Sequence, residues 1–380
     1  MGIKIYTPGH GMITDSLIMY GIVGSLSKRF PEDVGVVSIS FTGHEYVIDL
    51  GDFTLDDVAD AIAYVFDEYG HNVARRLLDE GKVIQLQSRG KLEGIISRLS
   101  NTDELRSRLN DLTSKGHILR LREGRSLKSK VKDMDTIWLA LMPSAGKYRL
   151  KDFSAVATPY LACILCRGLA SLGLYFTGLM SARGGDSLEI VPVFNGEITG
   201  DVIMKYINVL GNNYTNVANK IMRVLDILPT DILSKLTLVE LSVLGGGQDL
   251  IEELYKSNAS WHLISVRFTR GASQLRGYDV ICVDPLIKGL YLVMKNDVIK
   301  DIYLIVDTAI RRLIDKRKAR TSMKGQINVD VDAIDYMIKF LEYRNVELLY
   351  RAVRTAYKDD VVKVKLSYSV VKELAKILGA

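Results

Sequence analysis

The chain has 380 residues, with 50 Lys or Arg, 45 Asp or Glu, a formal net charge of +5 and 48% apolar positions. That balance excludes a disordered polyelectrolyte, a collagen-like repeat and a disulfide-stapled secreted scaffold. Cys163, Cys166 and Cys282 are an odd number of thiols that cannot all pair within one chain, which points to a reducing, cytoplasmic setting.

Met1 to Met12 lacks the charged and apolar regions of a signal peptide, and Pro8 and Gly9 interrupt any helix there. Ile3 to Thr7 reads as a short strand, followed by a helix from about Met12 to Phe30 that is apolar all round and therefore buried. Val34 to Phe41 and His44 to Leu50 alternate about Thr42-Gly43, a hairpin signal. Thr54 marks a helix start, since its hydroxyl can cap free amide groups and Asp57, three residues on, sits beside the positive end of the dipole. From Lys82 to Lys132 the apolar content falls, which predicts short elements on a solvated surface or an insertion. Ala155 to Ala182 carries only Arg167 as a charge and is long enough to span a bilayer, but its change of character midway favours a buried core segment. Within it Pro159 to Leu172 reads as helix and Leu174 to Met180 as strand, with Gly184-Gly185-Asp186 turning Leu174–Arg183 back onto Ser187–Phe194.

Helices dominate from Thr199 onward, apart from strand-like runs at Trp261 to Thr269 and Tyr278 to Val283. Ile334, Met337, Ile338 and Leu341 share one face, as do Val371, Leu374, Ala375 and Leu378. The expected class is α+β: a part with antiparallel strands and hairpins over 1–198, holding a basic insertion at 82–132, then a mainly helical part over 199–380 with a basic loop at 311–324.

Charge is gathered in two windows. Residues 82–132 hold thirteen basic and five acidic residues, a net +8, and residues 311–324 hold seven basic and one acidic, a net +6. Clustered cations release condensed counterions from a phosphate backbone, so a polyanion is the simplest partner. A helix ending near Asp315 would turn Arg311 and Arg312 outward and leave Lys316, Arg317, Lys318, Arg320 and Lys324 in a loop. Arg120, Arg122, Arg125, Lys128, Lys130 and Lys132 form the other candidate surface.

Catalytic patterns are sparse. Gly245-Gly-Gly-Gln-Asp lacks the Gly-Lys-Ser/Thr ending of a phosphate-binding loop and reads as a helix break. Cys163-Ile-Leu-Cys166 has zinc or redox spacing, but inside an apolar helix with no second pair downstream it reads as buried structural thiols. His10, between two glycines after the first strand, is the most site-like histidine, though a lone one is more often structural. Asp330, Asp332 and Asp335 could hold magnesium in a nuclease, the competing enzyme reading, but capping at a helix start explains them more simply.

The runs Ile5–Leu26 (IYTPGHGMITDSLIMYGIVGSL), Gly168–Met180 (GLASLGLYFTGLM) and Ser187–Phe194 (SLEIVPVF), with the basic helical C-terminal part, resemble the large subunit of the archaeal type I-A Cascade, a CRISPR interference complex. The resemblance implies a non-catalytic, RNA- and DNA-binding subunit of an antiviral ribonucleoprotein. It implies guide RNA, target DNA, backbone and small subunits and a helicase-nuclease effector as partners; no cofactor or metal is expected because the sequence lacks their motifs, and no membrane because it lacks an amphipathic helix rich in Trp or Phe. In such complexes base pairing reads the target while protein reads a short flanking motif. Arg183, Gly184 and Gly185 are a candidate flanking-motif contact, because glycine permits close approach and arginine can read guanine. A plain hairpin turn is the simpler reading of the same residues.

Overall fold

The computed structural model describes residues 2–115, 117, 134–143, 149–151, 154–156, 160–269, 274–296, 298–318 and 324–357. In chain order the elements of the first half are β1 (Lys4–Tyr6), α1 (Met12–Arg29), β2 (Ser38–Phe41), β3 (Tyr46–Asp49), α2 (Leu55–Ala74), α3 (Arg89–Leu99), α4 (Thr102–Leu109), β4 (Met134–Thr136), β5 (Arg149–Lys151), β6 (Ser154–Val156) and β7 (Leu161–Cys163). They continue with α5 (Ile164–Thr177), β8 (Leu179–Arg183), β9 (Asp186–Thr199), α6 (Gly200–Val224), α7 (Thr230–Ser242), α8 (Gly247–Lys256), β10 (Asn258–Thr269) and β11 (Gln274–Cys282). Helices α9 (Asp284–Lys295), α10 (Ile299–Lys318), α11 (Lys324–Tyr343) and α12 (Val346–Tyr357) complete the described chain. The class is α+β.

The main sheet runs β1-β3-β2-β9-β10-β11, with β8 also pairing to β9. Strands β2 and β3 form the hairpin about Thr42-Gly43, with Phe41 opposite Tyr46, and β8 and β9 form the second, with Arg183 opposite Asp186. Long strand β9 pairs antiparallel with β8 near its start and with β2 at its end. The strand-like runs of the second half are β10 and β11, and both join this sheet.

The chain groups into two compact units. One holds Met1–Gly211, Ser257–Ser260 and Ile264–Val280, and the other holds Asn212–Lys256, Trp261–Leu263 and Ile281–Ala380. Residue 199, beside the expected division, is the last residue of β9.

In the first unit α1 and α5 meet backbone to backbone. Both are buried nearly all round, as their apolar composition requires. A Cβ on Gly173 would lie 1.8 Å from the Leu17 carbonyl oxygen, and one on Gly21 would lie 2.2 Å from that of Leu169. Only glycine allows this approach. Helix α2 starts as read from its sequence: Thr54 Oγ1 accepts from the Asp57 amide at 3.2 Å and the Asp57 carboxylate accepts from the Thr54 amide at 2.8 Å.

Several expectations need correction. The segment after residue 160 is a short strand, then helix from Ile164 to Thr177, so the aromatic run at Leu174 is helical and the next strand begins at Leu179. Burial on every side outweighed the strand preference of Tyr175 and Phe176. No helix among the described residues is long and apolar enough to cross a membrane. The start of the 82–132 window is no surface insertion, because α3 and α4 bury Leu92, Ile95, Leu99, Leu105 and Leu109. Leu99 and Ile95 close over Gly168 of α5, where an added Cβ would lie 2.2 Å and 3.1 Å from them.

In the second unit α7 ends at Ser242 and α8 starts at Gly247, with Gly246 at φ 81° making the break. Lys220 of α6 is the polar centre there, meeting Glu240 at 2.6 Å, Asp307 at 2.7 Å and the Tyr303 hydroxyl at 2.9 Å. The face formed by Ile334, Met337, Ile338 and Leu341 is buried, and the second face, at Val371 to Leu378, lies outside the described residues.

Two glycine substitutions should separate packing from propensity. Gly173→Ala should destabilise the protein by roughly 1–3 kcal/mol, because the helices must part. Gly211→Ala, in a helix with nothing within 4 Å of the new Cβ, should stabilise it by roughly 0.5–1 kcal/mol. Urea unfolding of both variants checks the signs, and a neutral Gly173→Ala would mean that the helix contact is compliant.

Candidate functional site

The basic candidates are not alike. Arg120, Arg122, Arg125, Lys128, Lys130 and Lys132 lie outside the described residues. Upstream in the same window, carboxylates answer most cations: Arg89 meets Asp79 at 2.7 Å, Lys91 meets Asp135 at 2.9 Å, Arg98 and Arg108 meet Glu104 at 2.6 and 2.7 Å, Arg106 meets Asp56, and Lys115 meets Glu45 at 3.7 Å. Exposed pairs of this kind contribute roughly 0–1 kcal/mol each, but they neutralise the local field.

The second window departs from its expected form. Helix α10 continues to Lys318, so Lys316, Arg317 and Lys318 extend a helix rather than fill a loop; Arg320 lies outside the described residues and Lys324 opens α11. Arg311 is exposed and pairs with Asp307 at 2.7 Å. Arg312 was expected outward and is instead mostly buried, 3.6 Å from the fully buried Asp330. A buried carboxylate needs a cation, and the helix turns Arg312 inward to supply one.

That pairing also corrects the reading of the three aspartates. They do not cap a helix start but lie well inside α11: Asp330 faces Arg312, Asp332 is exposed and Asp335 holds Lys339 at 2.6 Å. Asp330 and Asp335 are thus each engaged by a separate cation. At the other candidate, Gly184 and Gly185 have φ of 58° and 91°, and an added Cβ at either would meet nothing within 4 Å. These residues form an open two-residue hairpin turn with Arg183 at its base.

A polar cluster that pattern alone did not disclose lies where the Thr7–Gly11 loop enters α1. Asp15, fully buried, accepts from the Gly9 amide at 2.9 Å and the Gly11 amide at 2.7 Å. Burial pushes its carboxyl up to about 7, against the hydrogen bonds from Gly11, Gly9 and Thr7 that favour the ionised form. Tyr46 ties the loop to the sheet: its amide donates to Thr7 Oγ1 at 2.8 Å and its hydroxyl to the Phe194 carbonyl at 2.9 Å. His10 is buried, with Nδ1 2.8 Å from the Tyr160 hydroxyl.

Tyr160 leads into β7, and the thiols follow. Cys163 does not lie inside the helix: it is the N-cap of α5, and its Sγ accepts from the Cys166 amide at 3.4 Å. Cys163 Sγ is 3.3 Å from Cys166 Sγ and 3.6 Å from His117 Nε2. The hydrogen bond from Cys166, with that from His117, holds the Cys163 thiol well below its usual range. The same sulfur contact and burial push Cys166 up. Next to them Arg167 is buried and meets Asp135 at 3.5 Å. Asp15 and His117 escaped the sequence reading because neither belongs to a spaced motif. The Gly-His-Gly loop was the one local sign of a built corner.

The fold and these features define an α+β protein with a buried polar corner and two basic segments, without a recognisable nucleotide-binding loop in its sequence. Its sequence matches the family described as CRISPR-associated protein (Cas_Csa4) over residues 3–380, and the chain belongs to that family. No curated protein matches it.

Asp15 generates a pH signature. Its folded pKa lies above the unfolded value of about 3.9, so the stability it confers is complete below about pH 4 and is lost as pH rises toward and through about 7. Asp15→Asn stays neutral and removes this dependence. Between pH 4.5 and 7.5 the variant should gain about 3 kcal/mol on the natural protein in urea unfolding. Parallel pH profiles would show that Asp15 is ionised in the fold.

Proposed function

We propose that the chain is the non-catalytic large subunit of a type I-A Cascade-like, guide-RNA surveillance complex, where it binds nucleic acid and adds preference for a motif flanking the target. Membership of the CRISPR-associated family over residues 3–380 carries this reading, and the charge distribution supports it. Carboxylates answer the cations of α3 and α4, whereas no acidic residue lies between Lys316 and Lys324 and only Glu123 lies between Arg120 and Lys132. These two segments are therefore the proposed phosphate contacts. Lysines and arginines on phosphates supply affinity without sequence discrimination. Guide pairing supplies most of the specificity, leaving the protein a few base-edge contacts, for which the Arg183 turn is a candidate. The enzyme reading has no such support, because separate cations engage Asp330 and Asp335.

The test is reconstitution of the guide-loaded backbone with and without this chain, measuring binding to duplexes with randomised flanks. The chain should tighten binding to a subset of flanks by at least about tenfold, the equivalent of about 1.4 kcal/mol. Replacing Arg317, Lys318, Arg320 and Lys324 together by Ala should weaken binding to all flanks alike and flatten the dependence of log K on log salt by roughly 3 units. Equal binding to every flank, or failure to join the complex, would refute the assignment.

A further inference from the structure

One constellation is untouched by the nucleic-acid reading and stands independently of it. His117, Cys163 and Cys166 are all buried, and their ligand atoms lie within 4.8 Å of one another. They belong to parts of the chain 46 residues apart, brought together where β7 turns into α5. All three cysteines of the chain are free, so no disulfide accounts for the pairing.

We propose that His117, Cys163 and Cys166 bind one Zn²⁺ ion, which ties the chain at His117 to the N-terminus of α5.

The ligand set is the first argument: two sulfurs and an imidazole are the donors that zinc takes in tetrahedral protein sites, and Cys-x-x-Cys is a spacing found there. Geometry is the second. Bonds of about 2.3 Å to sulfur and about 2.0–2.1 Å to nitrogen place tetrahedral ligands about 3.5–3.8 Å apart. The S···N separation is already 3.6 Å, and the S···S separation of 3.3 Å needs to open by only about 0.5 Å. Third, the site is built to hold thiolate: Cys163 caps the helix, where the positive end of the dipole and the Cys166 amide both favour negative sulfur.

Charge completes the account. On binding, Zn²⁺ displaces the thiol protons to solvent, and two thiolates with a neutral imidazole make an uncharged unit suited to a buried place. Three protein ligands leave the fourth position for a water molecule.

The test uses the full-length chain, purified under reducing conditions from zinc-supplemented cells. Elemental analysis should find one zinc per chain. Replacement by Co²⁺ should produce the thiolate-to-metal charge-transfer band and the intense visible bands of tetrahedral cobalt. Cys163→Ser with Cys166→Ser should abolish both, and His117→Ala should weaken metal retention at least tenfold against a competing chelator. Should those variants not fold, titrating the natural protein with a mercurial should release one zinc for every two buried thiols modified. Metal-free protein without a cobalt spectrum, a Cys163–Cys166 disulfide that excludes cobalt, or zinc retained unchanged by the double-serine variant would each overturn the proposal.

Discussion

Helices can approach until their backbones touch only where side chains are missing, and α1 and α5 meet that condition at Gly21 and Gly173. The contact packs the two most thoroughly buried helices of the first unit against each other. The loop that feeds α1 and the turn that starts α5 share a buried corner, where His10 meets Tyr160. A larger residue at either glycine would part the helices and disturb that corner. The corner is rich in groups that dislike burial, and each has a reason to be there: backbone amides for Asp15, a phenol for His10, a helix N-terminus and an imidazole for Cys163.

Ion pairing divides the basic residues into two populations. Along α3 and α4, and at Arg311 of α10, arginines face carboxylates, and Arg312 and Lys220 have become interior ions that hold helices together. Their task is structural, since removing one partner of a buried pair leaves an uncompensated charge that costs roughly 3–5 kcal/mol. The excess that gives the chain its net charge belongs to segments with few acids of their own. That scarcity of acids in the sequence is the physical basis for proposing those segments as the contact surface.

What the sequence disclosed follows from the range of each signal. The Thr54–Asp57 box, the Thr42-Gly43 and Gly184-Gly185 turns and the buried face of α11 depend on residues within four positions of one another, and they were legible. Arg312 was misread because its partner Asp330 comes from the next helix, eighteen residues on, and the aspartates were misread as caps because that helix already begins at Lys324. The aromatic run Leu174–Phe176 has a local strand preference, and packing against α1 overrides it. His117 carries no local mark at all, so a Cys-x-x-Cys pair without visible companions looked like ordinary buried thiols. The family was approached through runs of residues such as Ile5–Leu26, the same stretch whose glycines and polar corner the fold depends on.

The central claim is that the two basic segments, rather than the ion-paired helices, face nucleic acid in an RNA-guided assembly. Photo-cross-linking in the reconstituted complex, with thio-substituted bases placed through the guide and both target strands, tests it most directly when cross-linked peptides are mapped by mass spectrometry. The account predicts cross-links within Arg120–Lys132 and Lys316–Lys324. Cross-links confined to the Arg89–Lys115 region, or none to this chain at any position, would contradict it.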